Sequence, residues 1–185
     1  MKLTKMEIEF IKESNTIEGI YFSYSCYNRS KAIIPEISNH KEAFIYMKNN
    51  CGKNLTHKRI LTMHGILMEG LLDDKYTGKY RTCNVRIGDS FGYLPIQIRP
   101  AMDNLIKMTK RVKTEEGVWD VHNEFEVIHP FADGNGRMGR LILNWLNFKI
   151  GLPLEIIFSS NRQEYYNKIN SYRIKKQIME FQNRR

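Results

Sequence analysis

Apolar residues in this chain recur mostly three and four positions apart, the repeat of a helix that buries one face. The clearest stripe is Val118, Val121, Phe125 and Ile128. Ile60, Met63, His64, Leu67 and Leu71 form another, and Thr56 ahead of them has the side chain of a helix N-cap. Thr4 with Glu7 has capping-box form, which predicts a helix through about Ile17 with Gly19 as its stop. Ser38 or Asn39 is expected to open a helix through Met47. Pro100 is expected in the tolerant first turn of a helix running through Lys110. A further helix over about 137–149 ends at Gly151-Leu152-Pro153, and Ser160 or Asn161 opens the last helical region. One stretch has a different period: Cys83, Val85 and Ile87 alternate with Asn84 and Arg86, ahead of Gly88-Asp89-Ser90-Phe91-Gly92. That alternation predicts a short hairpin. The expected fold class is therefore mainly α, with one small β element.

At 185 residues, 42% of them hydrophobic and 26% charged, the chain has the make-up of one ordinary globular domain over 1–185. No apolar run approaches the roughly 20 residues of a membrane-spanning helix, and the first residues lack the apolar core of a secretory leader. A cytoplasmic location is the expectation. Cys26, Cys51 and Cys83 show no metal-ligand spacing and read as free thiols. The net charge of +9 is uneven, because residues 162–185 hold seven Lys/Arg against two Glu. Such a run is most simply the solvated face of a helix. The alternative is a nucleic-acid-binding module working through the basic segment 160–185, whose binding would weaken steeply with salt. No helix-turn-helix or zinc pattern accompanies it.

The densest chemistry lies at residues 129–140, His-Pro-Phe-Ala-Asp-Gly-Asn-Gly-Arg-Met-Gly-Arg. Pro130 discourages the preceding helix from continuing through His129. Gly134 and Gly136 let the backbone turn tightly and approach a ligand. The helix that follows starts with amides lacking intrahelical partners, and these amides with the helix dipole attract anions. Arg137, Arg140 and Asn144 share one face of that helix, whose other positions are largely apolar. Arginines on so apolar a helix need anionic partners, either carboxylates or a phosphate chain. An imidazole beside such a turn suits a base for an attacking hydroxyl. Asp133 alone would be a helix N-cap; beside a polyphosphate it suits Mg²⁺, or Mn²⁺ in its place. His122 reads as a packing residue of the preceding helix.

This string resembles the Fic signature (His-Pro-Phe-x-Asp/Glu-Gly-Asn-Gly-Arg-x-x-Arg) at every specified position. Gly78-Lys79-Tyr80-Arg81, Pro95, Gly151-Leu152-Pro153 and Arg162-x-x-Tyr165-Tyr166 are similar to flanking segments of the same family. The likeness covers about residues 55–170, with its strongest part at 118–153. It implies a helical Fic fold with a β-hairpin flap over about 82–95, and transfer of AMP from ATP to a Ser, Thr or Tyr hydroxyl of a target protein or of the chain itself. By the same resemblance His129 is the base, and Asp133 holds Mg²⁺. Gly134, Asn135 and Gly136 line an anion hole, Arg137 contacts the phosphate chain, and Arg140 binds the γ-phosphate. Asn84, Val85, Arg86, Ile87 and Gly88 belong to the flap that docks the target, and Tyr165 and Tyr166 lie towards the adenine. Many relatives continue with small residues and an asparagine near the adenine, where this chain reads Asn167 to Arg173, so UMP or GMP transfer stays open. The Doc-type phosphotransferase branch lacks the first motif glycine, and Gly134-Asn135-Gly136 therefore points to nucleotidyl transfer.

Ser14-Asn15-Thr16-Ile17-Glu18-Gly19 resembles the family's inhibitory motif, on a helix over about 4–20. Ser14 and Glu18 lie four apart on one helix face. The resemblance implies that Glu18 pairs with Arg140, that Ser14 positions it, and that the γ-phosphate is thereby kept from seating. Self-inhibited relatives often form homodimers or higher oligomers. Some use the same glutamate to orient water for removal of AMP, which is the second enzymatic expectation.

Overall fold

The computed structural model describes residues 2–21, 34–88 and 90–182. Cys26 falls outside them; Cys51 and Cys83 are free thiols. Seven helices run in the order α1 (Lys5–Ile17), α2 (Pro35–Asn50), α3 (His57–Leu67), α4 (Pro95–Thr109), α5 (Glu115–Ile128), α6 (Asn135–Lys149) and α7 (Arg162–Gln182) among the described residues. Strands β1 (Arg86–Ile87) and β2 (Ser90–Phe91) lie between α3 and α4. No helix of the described residues is long and apolar enough to cross a membrane.

Helix α6 is the axis of the fold, with α5 and α2 packed along it and α1 meeting it near its start. Leu141, Ile142, Leu143, Trp145 and Leu146 are all fully enclosed, as the apolar sequence of this helix requires. The α5 stripe of Val118, Val121, Phe125 and Ile128 is likewise buried. Thr4 caps α1 in a capping box with Glu7, and Thr56 and Thr114 cap α3 and α5.

Three expectations are corrected. Helix α2 starts at Pro35 instead of after Ser38 or Asn39, because proline at the first helical position needs no amide partner. Helix α4 starts at Pro95, which puts Pro100 inside it. The missing amide there would have bonded the carbonyl of Ile96, a residue 84% exposed, so water can replace that bond. Helix α3 ends at Leu67, and Leu71 lies beyond it in a turn. The last helix opens after a 3₁₀ turn at Ser159–Asn161.

Helix α1 is tied down along its length. Asn15 Nδ2 donates to His40 Nδ1 at 2.8 Å and to the Ile11 carbonyl at 2.7 Å. Lys48 Nζ reaches Glu7 Oε1 at 2.6 Å. The Ser159 amide donates to Glu13 Oε2 at 2.7 Å. These ties set the face of α1 that carries Ser14 and Glu18 against α6. Helix α7 turns Tyr165, Ile169 and Arg173 inward at four-residue steps. Part of its positive charge is paired within the chain, Lys168 with Glu164 and Lys176 with Glu124.

Candidate active site

His129 follows the last residue of α5 with φ 52° and ψ 62°. Among the described residues it is the one non-glycine with positive φ. Such a backbone costs about 1–2 kcal/mol and persists only where its surroundings enforce it. The His129 carbonyl accepts from Arg81 Nε at 2.8 Å, and the Pro130 carbonyl accepts from the Arg81 amide at 2.9 Å. The His129 ring bonds the Glu126 carbonyl through Nδ1 at 3.3 Å. A carbonyl can only accept, so Nδ1 carries the proton and Nε2 is left as the basic nitrogen. Burial pushes the imidazole down to about 4, so it is neutral near pH 7.

Residues 131–136 form a loop closed on itself. Asn135 Oδ1 accepts from the Phe131 amide and its Nδ2 donates to the Phe131 carbonyl, both at 2.9 Å. The Asn135 side chain therefore braces the loop, leaving its backbone for any anion. His64 supports the loop from below. It stacks on Phe131 with ring centroids 3.8 Å apart, its Nε2 donates to the Asp133 carbonyl at 3.1 Å, and its Nδ1 accepts from the Gly78 amide at 3.0 Å. Burial holds this ring neutral as well, at about 4. The sequence showed His64 only as one member of a helical stripe. Its partners lie 14 and 69 positions away, which local pattern cannot reveal.

Gly134 has φ 76°, and a Cβ there would lie 2.7 Å from Met68 Sδ. At Gly136 a Cβ would lie 2.3 Å from Glu18 Oε1. The Glu18 carboxylate thus sits directly over the amide end of α6. It accepts from Arg140 NH2 at 2.6 Å. Arg140, 1% exposed, also donates from Nε to Ser14 Oγ and from NH2 to the Ser14 carbonyl, both at 2.8 Å. Burial alone would raise the Glu18 carboxyl; the Arg140 charge and hydrogen bond, with Arg137 and His129, hold it below the usual range. The pairing of Ser14, Glu18 and Arg140 expected from the sequence is present. Gly19, at φ 80°, ends α1 beside it.

A cavity of about 500 Å³ opens beside this pair. Glu18, His129, Gly136 and Arg140 form its inner wall. Arg86, Ile87 and Gly88 of the flap face them, and Tyr165 and Tyr166 close one end. Asn84 and Val85 do not line it. Tyr165 is buried, with its hydroxyl 2.9 Å from His122 Nε2. Arg137 is also buried, but its NH2 lies against Met68 Sδ at 3.5 Å and its Nε and NH1 have no partner. Two further charged groups face the cavity. Glu126 is buried without a partner for Oε1, and burial pushes it up to about 7. Arg173 is 8% exposed with NH2 unpartnered. Neither stood out in the sequence, since both occupy ordinary helix positions.

The flap is shorter than the alternation of 83–87 suggests. Arg86 pairs with Phe91 and Ile87 with Ser90 in antiparallel register, and the Gly92 amide adds a bond to the Val85 carbonyl at 3.1 Å. The ladder stops there because Arg81 takes the carbonyls of Cys83 and Tyr93 at 2.7 and 2.6 Å.

Asp133 is exposed at the mouth of the loop, with Oδ1 accepting from the Gly134 amide at 2.6 Å. No cluster of three or more His, Cys, Asp or Glu side chains suited to a metal occurs among the described residues. A single carboxylate beside a helix start whose amides lack intrahelical partners fits a hard cation shared with phosphate oxygens, not a cage built by protein alone.

The glycine-bounded loop that opens α6, the neutral imidazole beside it and the hairpin that lines the same cavity are set in a Fic-type fold. Residues 54–147 match the family model described as Fic/DOC family, and the chain belongs to that family. It is 34% identical over 112 residues to protein adenylyltransferase fic-1 of Caenorhabditis elegans, covering 58% of this chain and 22% of that protein. Its fold superposes on a solved structure of C. elegans Fic-1 (residues 134–508) with a TM-score of 0.79 and 22% identity, over 91% of this chain and 56% of that one. It also superposes on IbpAFic2-H3717A in complex with adenylylated Cdc42, with a TM-score of 0.58 and 20% identity, over 85% of this chain and 52% of that one. The chain spans about a fifth of the curated relative's length.

Proposed function

We propose that this chain is an autoinhibited protein adenylyltransferase. It would move AMP from ATP to a Ser, Thr or Tyr hydroxyl of a target protein and release pyrophosphate. The observation that carries this reading is the meeting in one cavity of the neutral His129, the amide end of α6 at Gly136, and an Arg140 already occupied by Glu18. The names of similar proteins, several called protein adenylyltransferase, support it.

In the reaction the hydroxyl oxygen bonds to the α-phosphorus while the bond from that phosphorus to the bridging oxygen breaks. His129 Nε2 takes the hydroxyl proton. The first amides of α6 and the Arg140 guanidinium receive the phosphate charge. Asp133 would hold Mg²⁺, which would supply positive charge to offset that of the leaving pyrophosphate. The flap would hold the target by adding an extended segment to its edge, with Arg86, Ile87 and Gly88 nearest the chemistry.

The brake is competition for one guanidinium. A tethered carboxylate faces Arg140 at an effective concentration on the order of millimolar, and a γ-phosphate must displace it. Glu18→Gly should raise AMP transfer at least tenfold. The test supplies α-labelled or γ-labelled ATP to both forms with a mixture of lysate proteins. Label should enter protein from the α position only, faster in Glu18→Gly, and mass spectrometry with an equimolar NTP mixture would read nucleotide and acceptor together. Equal labelling by both forms would remove the brake, and label from the γ position would remove nucleotidyl transfer. A second reading is favoured by Glu18 and His129 sharing one cavity: hydrolysis of the same linkage, seen as free AMP released from modified protein.

A further inference from the structure

Among the described residues Arg81 is the most completely enclosed charge outside the phosphate site, at 2% exposed. Its charge is met by carbonyl oxygens instead of a carboxylate. Nε donates to His129, NH1 to Cys83 at 2.7 Å, and NH2 to Tyr93 at 2.6 Å and Ile128 at 3.5 Å. Cys83 precedes β1 and Tyr93 follows β2, so one guanidinium grips both roots of the flap. The same group grips the backbone of His129, the residue whose left-handed conformation needs outside support.

We propose that Arg81 is a positioning residue that makes the flap and His129 one mechanical unit. The role given to His129 rests on the transferase reading; the coupling itself does not. A planar fork with several donors can hold four carbonyls in two segments, and a lysine ammonium, a compact point donor, cannot reproduce that geometry. Gly92 shows how tightly the unit is closed. A Cβ there would lie 2.9 Å from Arg81 NH2 and 3.3 Å from Ile87 Cδ1. A segment docked on the flap is thereby set at a fixed height relative to the His129 ring.

The test compares Arg81→Lys and Gly92→Ala with the parent chain by amide hydrogen exchange, by NMR titration of the His129 ring, and by calorimetry with Mg-ATP on the Glu18→Gly background. Both variants should speed exchange at least tenfold at residues 83–93 and at 128, 129 and 131. Amides in the middle of α6 should keep their protection. The His129 midpoint should rise by a pH unit or more as the ring gains water, and Mg-ATP affinity should stay within about twofold. Parent-like exchange in the flap with an unmoved His129 titration would overturn the coupling. So would exchange that rises equally in the flap and in α6, because that is general loosening. Should Arg81→Lys fail to fold, Gly92→Ala applies the same strain from the flap side. None of these readouts uses turnover, so a chain without AMP transfer would refute the transferase reading and leave the coupling standing.

Discussion

One wall of the cavity is formed by Glu18 and the His129–Arg140 segment, and the other by three residues of a short hairpin, Arg86, Ile87 and Gly88. On the proposed function the loop at 129–140 needs an imidazole, a carboxylate and guanidinium groups, and it has two positions where a Cβ would strike Met68 Sδ or Glu18 Oε1. The flap needs only two extended residues per strand and anchored roots. Chemistry that requires particular side chains is written into the sequence position by position, whereas docking through main-chain bonds leaves composition almost free. The two walls should therefore respond differently to substitution.

The largest effect is expected on the side-chain wall. On the Glu18→Gly background, His129→Ala should lower AMP transfer by about 10²–10⁴-fold, the usual contribution of a general base. Mg-ATP affinity should change little, because the α6 amides and Arg140 remain. Labelling assays alongside calorimetry would separate the two; a matching loss of affinity would make His129 a binding group instead of a base.

Acid should act on the fold next. His64, His122 and His129 are each pushed by burial from 6.5 to about 4, and His40 is pushed well below its ordinary value. Their folded forms are neutral while the unfolded chain takes up protons below about 6.5. The stability they contribute is full above that pH and is lost as pH falls towards 4, at about 3 kcal/mol for each ring moved to about 4. Glu126 acts oppositely: raised to about 7, it favours the fold below about 4.5 and loses that contribution as pH rises through 7. The histidines outnumber it, so urea melts at pH 7.5, 6 and 4.5 should show falling stability. A stability that rises between pH 6 and 4.5 would mean that these rings are charged in the fold. The acid limb of kcat/KM for Glu18→Gly should likewise lie below pH 5, not at 6.5.

Gly134→Ala should cost about 2–4 kcal/mol, because the substitution combines an unfavourable φ of 76° with a Cβ 2.7 Å from Met68 Sδ. A thermal melt reads this directly. Pairing it with Met68→Ala should recover part of the loss, since the clash would go and the backbone strain would stay.

How far each wall could be read from sequence follows the same division. The α5 stripe, the Thr4 and Thr56 caps and the apolar α6 are local patterns, and the structure has them. Pro35 and Pro95 signalled helix starts, yet Ser38, Asn39 and Pro100 were the more conspicuous residues, and the boundaries moved. His64 and Arg81 were not legible as site supports. Each acts through carbonyls or amides of distant segments, and such groups are present at nearly every position. Arg173 and Glu126 face the cavity only because α7 crosses α5, a packing that no local period contains.

The smallest effect is expected where the flap carries a side chain that touches neither the cavity nor Arg81. Asn84 is exposed and lies between Cys83, whose carbonyl Arg81 holds, and Val85, whose carbonyl takes the Gly92 amide. Asn84→Ala keeps both backbone bonds and should alter transfer to protein by less than about twofold, near the noise of ordinary surface changes. Asn84→Pro should do more damage, by fixing φ and restricting Cys83 while leaving the same exposed surface. The ratio of these two losses measures how much of docking is main chain. If Asn84→Ala alone lowered transfer tenfold, the flap would be reading its target through side chains, and the division between the walls would fail there.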